Sequence, residues 1–453
     1  MPENSGRNKQ SFSERNTVMM KAVFIAIITL LLLIPAAMIS NLVYERQHTK
    51  NEAINEIGEK WGKEQTITGP FLTVPFTKLI KRYSPKDSTD VWIERTDYLN
   101  MLPENLNISG SIAPEKRYRG IFEVIVYNSS ISVDGDFSSL NIKEFDIDSK
   151  DLHLDDAFLS IGITDLRGIE EQIDLNWGED LKIFNPGTIT TNIITSGINA
   201  PLDISINDNG DILSKPFAFD LKLKGSEYLQ FVPVGKVTDV ELSSNWTTPS
   251  FDGAFLPDSR TVSDSGFVAN WNILHLNRNY PQAWLNSDHR VQESAFGVDL
   301  LLPVDNYKKS ERSIKYAILF IGLTFLVFFF IEIINKKKVH PIQYILVGLA
   351  LCLFYTLLLS ISEHSTFNFA YLASSALTIG LISAYTKTVL KSNSLTGLMA
   401  GILTILYLFI YVIIQLEDYA LLMGSIGLFI ILALVMYFSR KIDWYQINNN
   451  VNL

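Results

Sequence analysis

Residues 22–43 read AVFIAIITLLLLIPAAMISNLV, 22 positions without a charge. At about 1.5 Å per helical residue the run spans roughly 33 Å, enough to cross a hydrocarbon layer about 30 Å thick. In lipid the backbone must satisfy its own hydrogen bonds, so the run reads as a transmembrane helix. Lys21 ahead of it would also suit a secretory signal. The run is, however, longer than a signal core of about 7–15 residues, and Pro35 sits badly before a cut after Ala37. It reads as an uncleaved anchor with a local kink at Pro35. Five further apolar runs crowd the last third of the chain: 314–334, 342–361, 367–386, 396–414 and 419–439.

Sidedness follows from the basic residues of the short connections. Arg7, Lys9, Arg15, Lys21, Lys336, Lys337, Lys338, Lys387, Lys391, Arg440 and Lys441 all fall on one side if six spans alternate. The opposite short loops, 362–366 and 415–418, carry Glu363, Glu417 and Asp418 instead. The expected organisation is a cytoplasmic tail (1–21), a first span (22–43), a periplasmic domain (44–313), a bundle of five spans (314–439) and a second cytoplasmic tail (440–453). The expected location is a bacterial inner membrane, crossed several times.

The 453 residues carry a net charge of −10, and only 19% are charged. That excludes a disordered chain and a basic nucleic-acid binder. The charge is unevenly placed, −15 over 44–313 and +5 over the remainder. A single cysteine, Cys352, rules out an intrachain disulfide or a multi-cysteine metal site.

Residues 45–61 read as a helical stalk, with Ala53, Ile54 and Ile57 on one face. Beyond Gly69-Pro70 the hydrophobic period shortens to two. Strands are expected at 71–79, 91–98, 118–127, 131–137, 202–206, 217–223, 237–246 and 266–273, with turn signals at Asp134-Gly135, Asn207–Gly210 and Lys224-Gly225. The fold class is membrane α plus exported all-β: one N-terminal transmembrane helix, a large antiparallel β-sandwich-like periplasmic domain, then five clustered transmembrane helices.

Residues 244–271, SNWTTPSFDGAFLPDSRTVSDSGFVANW, crowd aromatics, proline and glycine into a stretch of weak periodicity. One reading is a binding loop built on Trp246, Phe251, Phe255, Pro257 and Trp271. The simpler reading is a sheet-to-sheet connection whose aromatics fill the core.

The chain resembles the CreD family of inner-membrane proteins. The resemblance is carried by LLIP (32–35), GPFLTVP (69–75), the 244–271 stretch, KYAIL (315–319), HPIQYILVG (340–348), SEH (362–364) and IDWY (442–445). It implies an inner-membrane protein of the cell envelope, controlled by a two-component pair and linked to envelope integrity and the β-lactam response. It implies no particular chemistry.

Candidate polar residues of the membrane part are Glu332, His340, Glu363 and His364. A carboxylate inside a span suggests a proton relay, but Glu332 lies four residues before Lys336, a good helical pairing. Glu363-His364 reads as an interfacial cap before a metal or proton site. The aspartates at 146, 148, 151, 155 and 156 lack the glycine and terminal glutamate of a calcium loop, and read as a solvated segment. Trp444 and Tyr445 read as an interfacial anchor. No nucleophile elbow, zinc-protease or phosphate-loop pattern occurs, so no catalytic, cofactor or metal residue is named.

The expected function is an envelope-integrity and stress-response protein, with no motif that marks an enzyme, whose exported domain binds a partner or ligand and whose bundle anchors or transmits that state. The expected partners are the lipid bilayer and an envelope protein, or a cell-wall or lipid ligand, and not nucleic acid. The alternative is a transporter or lipid-handling protein with a periplasmic receptor domain.

Overall fold

The computed structural model describes residues 17–84, 89–207, 211–213, 215–286, 289–300, 306–335, 337, 339–416 and 419–440. The chain divides into two compact units, 50–303 and 1–49 with 304–453.

The second of these is helical. Its elements are α1 (Thr17–Leu31), α2 (Leu33–Trp61), α3 (Asn306–Lys315), α4 (Ala317–Ile334), α5 (Pro341–Ser362), α6 (Phe367–Leu390), α7 (Asn393–Gln415) and α8 (Ala420–Ser439), with α2 running on into the other unit. Pro35 has no N–H to offer the Leu31 carbonyl, and the helix breaks locally at Leu32, between α1 and α2. Among the described residues, six helical stretches are long and apolar enough to cross a membrane. The connections carry their own start signals. Pro341 opens α5, the Thr366 hydroxyl accepts from Phe369 N–H at α6, and Ser392 does the same for Leu395 at α7.

The run at 314–334 is not one helix. Ile314 belongs to α3, and the chain turns at Tyr316 before α4. The sequence of α3, NYKKSERSIK, is polar, and its one uncharged face, Tyr307, Ser310, Ser313 and Ile314, is buried. That spacing lays the helix on its neighbours by one narrow stripe, with the charges outward. In the bundle, Gly348 of α5 lets Leu32 approach; a Cβ there would lie 2.1 Å from Leu32 Cδ1 and 2.9 Å from Phe325 Cζ. Helix α8 is the least buried span, its leucines and isoleucines turned outward as lipid requires.

The unit 50–303 is built from two mixed sheets that share one hydrophobic core. The principal strands are β1 (Gln65–Ser84), β2 (Thr89–Met101), β3 (Asn105–Arg119), β4 (Phe122–Asp136), β5 (Phe158–Ile163), β6 (Pro216–Ser226), β7 (Tyr228–Val232), β8 (Val237–Ser244), β9 (Pro249–Gly253), β10 (Ser259–Ser263), β11 (Gly266–Leu274) and β12 (Phe296–Leu300). The first sheet runs β9-β12-β7-β1-β5 and on to short strands at Gly197–Pro201 and Asn185–Pro186, with β2 on the far half of β1. The second runs β10-β11-β8-β3-β4-β6 and on to Asp174–Trp177 and Asp180–Ile183. Pairing is mainly antiparallel, with one parallel pair in each sheet, β1 with β7 and β8 with β3.

Several local expectations need correcting. The stretch 118–127 is not one strand: Gly120, at φ 61°, turns β3 into β4. Asp134-Gly135 is no turn. It lies inside β4, where a Cβ on Gly135 would sit 2.1 Å from the Asn105 carbonyl oxygen, so glycine is there for close backbone approach. Lys224-Gly225 likewise lies within β6, and the turn falls at Glu227, φ 59°. Residues 202–206 form no strand beyond a single bridge at Ile206. Strand β3 lies almost wholly outside the expected strands. Leu106, Ile108 and Ile112 alternate inward there, but Gly110 breaks the apolar series so that Leu242 can pack against the backbone. Asn207 and Asp211 close on one another, through Asn207 N–H to Asp211 O at 3.0 Å and Asp211 N–H to Asn207 Oδ1 at 2.9 Å; residues 208–210 between them lie outside the described residues.

Candidate functional site

The stretch 244–271 leaves the second sheet at the end of β8, crosses to the first as β9, and returns as β10 and β11. Its aromatics form a layered cluster. Trp271 is 2% exposed, with its ring 5.8 Å from Phe251 and 5.5 Å from Phe296. Phe251 meets Phe267 edge-on at 5.6 Å, and Phe255 meets Phe296 at 6.0 Å. The Trp271 indole N–H donates to the Phe255 carbonyl at 3.3 Å. Trp246 and Pro257 are half-buried, and Trp246 packs on the core. These rings are therefore the floor of the region, stacked as aromatic pairs prefer.

Above the floor a cleft of about 550 Å³ opens between β9 and β10, lined by Pro249, Ser250, Phe251, Arg260 and Val262. Each of these two strands is the outer edge of its sheet. Two short edges thus lie side by side, with unpaired backbone groups on both. The Arg260 guanidinium lies 5.6 Å from the Phe251 ring centroid, a cation–π distance, and has no ion pair among the described residues. On the neighbouring strand, burial raises the Asp299 carboxyl above its usual range, and nearby Asp252 adds to the effect.

The helical unit gathers its polar groups at two ends. At the end carrying residue 21, Glu332 is 5% exposed and holds three donors: Lys21 Nζ, Val339 N–H at 2.9 Å and Tyr344 OH at 3.0 Å. Its partner is thus the N-terminal helix; Lys336, the expected one, lies outside the described residues. His340 caps α5. Its Nδ1 accepts from Ile342 N–H at 3.3 Å, and its backbone N–H donates to Gln343 Oε1 at 2.9 Å.

At the other end Glu363 is the C-cap of α5, 3.6 Å from Arg46 and within 3.3 Å of the donating Tyr307 hydroxyl. Asn306 donates to the Ser362 and Ser365 carbonyls, and Lys309 to Gln415 Oε1 at 2.9 Å. His364 is exposed. Among the described residues no three His, Cys, Asp or Glu side chains form a metal-binding group. The aspartates at 146–156 lie on or beside short 3-10 turns, largely exposed. Trp444 and Tyr445 lie outside the described residues.

The sequence profile of the family described as inner membrane protein CreD matches residues 17–445. The chain belongs to the CreD family. The inner membrane protein CreD of Escherichia coli (strain K12) is 33% identical over 423 residues, covering 92% of this chain and 91% of that one. With six apolar helices long enough to span, the chain is a multi-pass inner-membrane protein of that family.

Sequence reasoning does not single out Lys21 and Arg260, nor the partners Arg46, Tyr307 and Tyr344. In the sequence Lys21 reads as a flanking charge, because nothing local links it to a carboxylate 311 positions away. Arg260 leaves a signal: it is the one Lys or Arg between Lys236 and Arg278, set among aromatics.

Proposed function

We propose that this chain is an envelope-integrity protein whose β unit lies in the periplasm and binds an extended, carboxylate-bearing segment of an envelope partner at the β9–β10 junction. The observation that carries this reading is Arg260, without an ion pair among the described residues, over an aromatic floor between two open sheet edges. An added strand would gain main-chain hydrogen bonds along either edge, and the guanidinium would select the carboxylate. In a domain with a strong acidic excess, a lone cation in a cleft is a local attractor for an anionic group. The helical unit anchors the domain. Control by a two-component pair and a part in the β-lactam response belong to the same reading and rest on the family resemblance.

The test is rescue of the envelope defect in a host lacking its own copy. Arg260→Lys should weaken rescue and Arg260→Glu should abolish it, at equal membrane levels and equal thermal midpoints. Full rescue by Arg260→Glu would sink the reading.

A further inference from the structure

Serine and threonine hydroxyls in a membrane helix normally donate back to a carbonyl of the preceding turn. Many here do so: Thr29 to Ile25, Thr378 to Ser374, Thr386 to Ile382 and Thr404 to Ala400, all between 2.7 and 2.8 Å. Thr324 and Ser374 do not. Both are at most 1% exposed, and their hydroxyls have no hydrogen-bond partner among the described residues. The same holds for the Tyr355 hydroxyl.

These three come from α4, α6 and α5, yet they share one depth. Thr324 lies seven residues after the start of α4, Tyr355 seven before the end of α5 and Ser374 seven after the start of α6, so each is about 11 Å from the bundle end that carries Glu363. They also share one neighbourhood. Phe320, one turn before Thr324, packs on both Tyr355 (6.1 Å) and Tyr407 (4.5 Å). Tyr371, one turn before Ser374, donates its hydroxyl to the Tyr407 carbonyl at 2.8 Å.

Nearer the end of the bundle the pattern repeats. Ser310 and Ser313 of α3 are 2% and 0% exposed, and their hydroxyls too have no partner among the described residues. They lie on the face by which α3 packs on the bundle. Toward the opposite end the fully buried hydroxyls of α6, Thr378 and Thr386, are bonded, and only that of the half-buried Ser383 is left without a partner among the described residues; a ring cluster intervenes, where Phe325 and Phe328 pack against Tyr344 at 5.5 and 6.0 Å.

Leaving a buried hydroxyl unbonded is costly, and most of all in lipid. We propose that the half of the bundle roofed by α3 is a hydrated half-channel. Ser310, Ser313, Thr324, Tyr355 and Ser374 line it, and it takes water and small uncharged hydroxylated solutes. None of these lining side chains carries a charge, so an ion would find no counter-charge there. The aromatic cluster at Tyr344 closes it short of the other face.

The test uses the full chain in spheroplasts, with Cys352→Ser as background. Ser374→Cys should react with hydroxyethyl methanethiosulfonate at least 100-fold faster than Ile382→Cys, whose site is buried in the other half of α6. The trimethylammonium-ethyl analogue should react with it at least tenfold more slowly. Equal rates at the two sites would overturn the channel, and equal rates of the two reagents its neutral selectivity. Should the cysteine variants fail to fold, Tyr355→Phe and Thr324→Val decide. If the hydroxyls bond to internal water, removing either lowers the thermal midpoint; if it is unchanged or raised, the hydroxyls are simply unpaired and the proposal fails.

Discussion

Glu332 has one partner from each of three places: the N-terminal helix through Lys21, the connection before α5 through Val339, and α5 through Tyr344. A carboxylate so deeply buried tolerates the loss of a donor poorly, because the charge left behind stays desolvated. Lys21→Met is expected to cost about 1–3 kcal/mol in detergent, less than for a fully buried pair because the lysine is 31% exposed. Adding Glu332→Gln should recover part of that loss, a coupling that a double-mutant cycle of thermal midpoints measures. A second residue-scale prediction concerns pH. Burial, with Glu64 beside it, raises the Glu227 carboxyl, partly opposed by Lys50 and reinforced by Asp299. A carboxylate with a raised folded value binds its proton more tightly when folded. Its stabilisation is full below the unfolded carboxylate range and is lost as pH rises through the raised value. Glu227→Gln should therefore match the parent near pH 4 and exceed it in thermal midpoint near pH 8. Asp165 has the opposite sign. Burial pushes it up, but hydrogen bonds from Arg167 and from the Lys63 backbone outweigh that and hold it low, so its contribution is lost as pH falls.

At the scale of elements, the 244–271 crossing separates floor from rim. Trp271→Ala removes a ring packed on two phenylalanines and should cost roughly 3–5 kcal/mol. Arg260→Glu, on a fully exposed strand, should stay within about 0.5 kcal/mol, as calorimetry of the two variants checks. The spans were plain in the sequence because lipid imposes a length and forbids charge. Strands were plain where inward residues alternate without interruption, as in β6 and β11. They were hidden where a glycine admits a neighbouring backbone or side chain, as at Gly110 and Gly135, since the residue that marks a turn also marks close packing. The amphipathic α3 was hidden for a different reason. Its buried face is half serine, so no apolar period announces it. At the candidate site, the aromatics of the floor were visible as composition. The paired edges above them depend on which sheet each strand joins, and a one-dimensional pattern does not carry that.

For the whole molecule the decisive asymmetry is charge. Eleven Lys and Arg residues flank the spans on one side, while the loop residues of the other side are acidic or neutral. Translocating a basic connection is what the membrane resists, and this bias is the ground on which we propose both tails in the cytoplasm and the β unit in the periplasm. The acidic excess of that unit agrees, since acidic residues offer little resistance to export. Protease added to intact spheroplasts should cut within residues 50–303 and leave epitope tags at both termini untouched. In inverted vesicles the tags should be lost and the β unit spared. The opposite protection pattern would place the β9–β10 cleft in the cytoplasm, out of reach of any periplasmic partner, and would remove the physical basis for the binding role even if the fold stood unchanged.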